Sequence, residues 1–178
     1  MKFGRGKVNL LRLRMVGVAT WIAVLPWPVL AGDGTGCAAE QRVVFSCSTA
    51  KKLVAVCASP NLNASSGQVQ YRVSRAGALE LSYPSAGADW RTEQTVQSGT
   101  LLFSGGGGAF MSFTNAPYRY VVYSASGRGW GSKAGVVVEH KGRRIAHLKC
   151  QGKVISELGP DLFMQAGIAD AAASFELP

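Results

Sequence analysis

Between Arg42 and Cys150 the chain is a succession of short β-branched or aromatic runs, each cut off by glycine, serine or asparagine before a long helix could form. That punctuation is the spacing of a β-sandwich or barrel, and it excludes a helical bundle. About nine runs are expected as strands: 42–47, 53–58, 68–74, 78–83, 100–104, 109–114, 118–124, 135–140 and 144–150. The expected fold is therefore all-β, a small antiparallel β-barrel or sandwich of about eight or nine strands. The chain has 178 residues, 47% hydrophobic and 16% charged, which suits one domain with a real core and excludes a disordered chain. Its 22 glycines, about one residue in eight against a usual ~7%, fit a fold rich in turns.

Two hairpins stand out. In Val136–Cys150 the pair Lys141-Gly142 can make a two-residue turn, with glycine supplying a positive φ. That register sets Glu139 opposite Arg144, and puts Val137, Ala146, Leu148 and Cys150 on the core face with Val136, His147 and Lys149 on the other. The second hairpin joins 110–114 to 118–123 through Asn115-Ala116-Pro117, where proline suits the turn because it has no amide to give a ladder. Near the end, Pro160 fits a first helical position and Gly167 a helix stop, so 160–166 is expected as one short helix. The Ala-rich tail beyond it carries weak order signals. No repeat or heptad pattern is present.

The first 31 residues read as a secretory signal peptide: a basic head (Lys2, Arg5, Lys7, Arg12, Arg14), an apolar run 15–25 and a tail ending at Ala31. The apolar run is too short for a spanning helix, which needs ~20 residues, so cleavage after Ala31 and no permanent membrane span are expected. The expected organisation is a signal peptide 1–31, a disulfide-stapled β domain 32–155, and a C-terminal helix and tail 156–178. Removing the signal takes five of the 19 basic residues and none of the ten acidic ones, leaving fourteen against ten, a charge of +4. A mildly basic exported domain is suited to anionic envelope polymers or lipids, and nucleic acid is not an expected partner. The expected location is exported, periplasmic or extracellular.

Cys37, Cys47, Cys57 and Cys150 make an even set in an exported chain, which reads as two disulfides. Three pairings are open. A hairpin around 48–52 puts Cys47 and Cys57 several residues out of opposition, so a direct bond between them would be strained. The favoured pairing is Cys47 with Cys150, tying the first strand to the last, and Cys37 with Cys57. Ten-residue gaps and the lack of a Cys-x-x-Cys or paired histidine argue against zinc, and no metal or cofactor is expected.

Two glycine-rich connections are candidate binding elements. Ser104 followed by Gly105–Gly108 could expose amides to an anion, although it lacks the ending and helix of a phosphate loop. Residues 124–134 carry Arg128, Trp130 and Lys133 on a second such connection, an indole and two cations that make a recognition chemistry. Trp130 could instead fold back to cap the end of the barrel. The Tyr/Arg alternation at 71–72 and 118–123 is read as strands with one packed and one wet face, and His140 and His147 as surface histidines. No nucleophile elbow, Cys/His arrangement or close carboxylate pair is present, so no catalytic residue is nominated.

Phe45-Ser-Cys47, Ser104-Gly-Gly-Gly-Gly-Ala-Phe110 and His147-Leu-Lys-Cys150 resemble small exported bacterial β proteins and, more distantly, the membrane-bound or periplasmic inhibitors of C-type lysozyme. The resemblance implies a small antiparallel barrel with a disulfide from an early strand to the last, and a Ser-Gly loop plus a lysine reaching a lysozyme's catalytic acids. Ser104, Gly105 and Gly107 match that loop, Phe110 stands where a tyrosine is usual, and Lys133 lies farther downstream than the family lysine. Three functions follow as expectations. The first is an exported, non-enzymatic binding module whose partner is an unidentified envelope component or protein. The second is a lysozyme inhibitor working through Ser104 and Lys133, and the third an enzyme acting on envelope polymers.

Overall fold

The computed structural model describes residues 34–171 and 175–178, so the expected export segment lies outside the described residues. Two sheets face each other. The first runs β10-β1-β2-β3-β4, built from β1 (Arg42–Ser48), β2 (Leu53–Ala58), β3 (Val69–Arg75), β4 (Ala78–Tyr83) and β10 (Gln151–Ser156). The second runs β11-β5-β6-β7-β8-β9, built from β5 (Val96–Phe103), β6 (Gly106–Asn115), β7 (Tyr118–Gly127), β8 (Gly131–His140), β9 (Arg143–Lys149) and β11 (Ala169–Asp170). All pairs are antiparallel except β11 on β5. The fold is a sandwich: each sheet keeps two free edges, so the barrel expectation is set aside.

Period-2 alternation drives this arrangement. Phe45, Val54, Val56, Tyr71, Met111, Phe113, Val122 and Val136 all turn inward and form the core between the sheets. Tyr71 stacks on Phe113 and Tyr120, with ring centroids 5.7 and 5.2 Å away. The Tyr83 hydroxyl crosses from the first sheet to donate to the Thr114 carbonyl at 2.7 Å. The helix α1 (Pro160–Ala166) forms where expected, with Gly167 in the left-handed conformation that ends it. Leu162, Phe163 and Ala166 bury into the same core, so the helix is part of the β domain rather than an appendage to it.

The bridges are Cys37–Cys57 and Cys47–Cys150. Cys150 falls at the junction between β9 and β10, not within a last strand, so its bond pins the crossover between the sheets to β1. Two disulfides point to an oxidising, exported environment. Among the described residues no helix is long and apolar enough to cross a membrane.

Three local expectations are corrected. β10 goes unforeseen, and β5 to β8 each run several residues beyond their expected ends. In the β8–β9 hairpin the turn and the Glu139–Arg144 pairing are as expected, but a register shift follows, so that Val138 pairs with Ala146 and Val137 with His147. The extra residue is Ile145, left exposed, and this one-residue bulge shifts β8 against β9, so the faces expected for 146–149 hold while those of Val136 and Val137 exchange. Val136 therefore faces the core with Leu148, while Val137 joins His147 outside. Finally, the described end of the tail packs on the domain: Phe175 lies 5.3 Å from Phe110 and 5.5 Å from Tyr123, on the outer face of the second sheet.

Candidate functional site

The register fixes three inward rows across the second sheet. Deep in the core, Ser98, Met111, Val122, Val136 and Leu148 line up. One rung outward the row is Thr100, Ala109, Ser124 and Ala134, and the next is Leu102, Gly107, Ser126 and Ser132. Side-chain volume falls and polarity rises along this face. Packed sheets lie about 10 Å apart, a gap that glycine, alanine and serine cannot fill, so the core ends and an open trough begins.

The opposite wall comes from β10. Val154 pairs with Cys47 and Ser156 with Phe45, so both face inward. Val154 is nonetheless 37% exposed, because no side chain reaches it from the other sheet. The trough has a volume of about 560 Å³, within the usual range of ligand sites, and Ser124, Ser126, Ser132, Ser156, Lys149 and Gly152 contribute to its lining. No carboxylate lines it. None of the four serine hydroxyls is used in a hydrogen bond among the described residues, which leaves them free as donors and acceptors.

The two expected loops are largely strand. Gly106, Gly107 and Gly108 belong to β6, and only Ser104-Gly105 turn; the 124–134 segment is β7 and β8, with Arg128-Gly129-Trp130 as its turn. The glycines are required by close backbone approach rather than by looseness. A Cβ on Gly106 would sit 2.3 Å from the Ser126 carbonyl oxygen, and one on Gly108 2.4 Å from that of Ser124. Gly106→Ala is accordingly expected to cost about 2–3 kcal/mol as an overpacking change. Gly129→Ala, with φ +87 and open space around it, should cost only about 1 kcal/mol. Urea midpoints of the two variants check this, and equal losses would mean the β6–β7 contact is not tight.

Ser104 and Arg128 come together as neighbouring turns, with the Arg128 amide donating to the Gly105 carbonyl at 3.0 Å. Trp130 and Lys133 go elsewhere. Trp130, 37% exposed, packs edge-on against Phe103, and the Lys133 ammonium lies 5.5 Å from the indole centre and donates to the Pro178 carbonyl oxygen at 2.9 Å. Both side chains therefore turn to the outer face, with Phe175, although Lys133 also borders the trough. On that face the Tyr123 hydroxyl lies 2.7 Å from His147 Nε2. Burial pushes the Tyr123 phenol up to about 12, so it stays protonated and donates. Burial, and then Arg144, Lys149 and Lys133, hold His147 below the ordinary imidazole value, so it accepts. The serines of the trough escape a motif search, although Ser124 and Ser126 at period 2 within a strand are the signal that could have marked a polar inward face.

Several carboxylates are tied into ion pairs. Glu139 meets Arg119 at 3.1 Å and Glu157 meets Arg42 at 2.6 Å. Lys52 at 2.7 Å and Arg75 at 2.9 Å hold Glu80, the Lys52 hydrogen bond chiefly keeping its carboxyl below the usual range. Among the described residues no group of three or more His, Cys, Asp or Glu is placed to hold a metal ion. Comparison with protein-family models, with curated proteins and with solved structures finds no match.

Proposed function

We propose that the chain is an exported, non-enzymatic binding module, periplasmic or extracellular, that takes a polyhydroxylated segment of an envelope or secreted polymer into the open end of its sandwich. The observation that carries this reading is the trough itself, with four uncommitted hydroxyls and no acidic group. Hydroxyls recognise hydroxyls by exchanging donor and acceptor roles, and a lining without carboxylates favours neutral or anionic sugars over cationic ones. Ala134, Val154 and Leu158 in the lining offer the apolar contact that the carbon face of a sugar ring needs.

The test is retention on purified envelope polysaccharide and peptidoglycan fractions, comparing the native protein with Ser126→Phe and Ser132→Phe. Both side chains are exposed, so their variants should melt with the native protein while the new rings fill the trough. Loss of retention by about tenfold or more is expected, since buried polar contacts to a ligand are then displaced. Undiminished retention by both variants would contradict the reading.

A further inference from the structure

A second recess lies on the side of the sandwich, where the β1–β2 turn meets the edge strand β9. It has a volume of about 320 Å³ and is lined by Lys51, Lys52, His147 and Lys149 over Ala50 and Leu148, among others. The turn is fixed: the Thr49 amide and hydroxyl both donate to the Lys52 carbonyl, at 2.7 and 2.9 Å, and the Lys52 amide donates back to the Thr49 hydroxyl at 3.1 Å. Glu80 takes the Lys52 ammonium, while Lys51 and Lys149 have no ion-pair partner among the described residues. From Lys141 to Lys153 the chain carries five cations and no carboxylate.

We propose that this recess is a binding site for a phosphate-ester group, held between the Lys51 and Lys149 ammoniums with its carbon substituent against Ala50 and Leu148. It goes beyond the trough reading and does not depend on it. Lys51 and Lys149 border a small recess whose lining holds no acid, Glu80 being spent on Lys52, and a doubly charged anion between them would accept charge-assisted hydrogen bonds from both. Burial first, and then Arg144 and Lys149 from β9 and Lys133 from β8, disfavour protonation of His147, with Tyr123 from β7 at its Nε2. Lysines on an exposed edge strand also discourage strand addition, but that role is indifferent to which edge cation is removed.

The probes are glycerol phosphate in solution and phosphatidylglycerol in phosphatidylcholine vesicles. Glycerol phosphate is expected to move the amide resonances of Ala50 and Leu148 and to raise the His147 titration midpoint by about half a unit, an added negative charge favouring the protonated ring. Lys51→Ala with Lys149→Ala should weaken binding by about tenfold or more. Lys141→Ala removes the same charge from the β8–β9 turn and should leave affinity within about twofold. Binding of either probe with that variant pattern supports the site; a response to both marks the phosphate group as sufficient, and a response to vesicles alone assigns the group to a lipid headgroup. No response to either probe, or equal weakening by Lys141→Ala, overturns it.

Discussion

Replacing Cys47 and Cys150 together by alanine is expected to remove about 4–5 kcal/mol of stability, the larger of the two disulfide effects. The bridge spans 103 residues of sequence, and the chain entropy that a loop of that length withholds from the unfolded state corresponds to ~4.7 kcal/mol. The Cys37–Cys57 bridge spans 20 residues, for which the same reasoning gives ~3 kcal/mol. A domain of this size has a stability of only about 5–15 kcal/mol in total, so the first variant should sit near the edge of folding at physiological temperature and the second should not. Guanidinium unfolding of both double variants measures the difference. The Cys47–Cys150 variant unfolding at the native midpoint, or above the Cys37–Cys57 variant, would contradict the role given to the crossover clamp.

Trp90→Ala should cost about 3–5 kcal/mol, the range for emptying a fully buried tryptophan site. Trp90 is 1% exposed and lies in the core between the sheets. Arg91 lies over its ring at 4.0 Å and donates to the carbonyls of Gly67, Asn63 and Ser66 at 2.9, 2.6 and 2.9 Å. The pair thus plugs the sandwich with an indole and ties down the 63–67 loop with a guanidinium. Trp90→Phe, which keeps an aromatic volume, should recover more than half of the loss. Thermal melts of the three proteins check this, and a Trp90→Ala protein melting within a few degrees of the native one would show that the site collapses without cost.

What could be read from the sequence was what local chemistry decides. Pro160 and Gly167 bracket the helix because one lacks an amide that a first turn does not need and the other tolerates a left-handed end. Hairpin register argued only against a Cys47–Cys57 bond, since Cys47 lies opposite Val54 and Val43 opposite Cys57, and the preference for tying the first strand to the last chose between the two pairings left. The β8–β9 faces could not be read, because a bulge leaves no mark in the pattern of Arg144-Ile145-Ala146. Gly105–Gly108 looked like a loop since glycine frees a backbone; here it also lets a neighbouring strand approach to within reach of the missing Cβ. β10 hid in Gln151-Gly152-Lys153, where glycine and charge mask an edge strand. The trough was invisible for a different reason: it exists only because β10 stands opposite β6, β7 and β8, and no local signal foretells which distant segments will face each other.

Mapping amide chemical-shift changes while the most strongly retained envelope polysaccharide is titrated into the native protein tests the account most directly. Shifts centred on Ser124, Ser126, Ser132 and Ser156 are predicted. Shifts confined to the outer face around Trp130 and Phe175, or to the helix, would contradict binding at the open end of the sandwich.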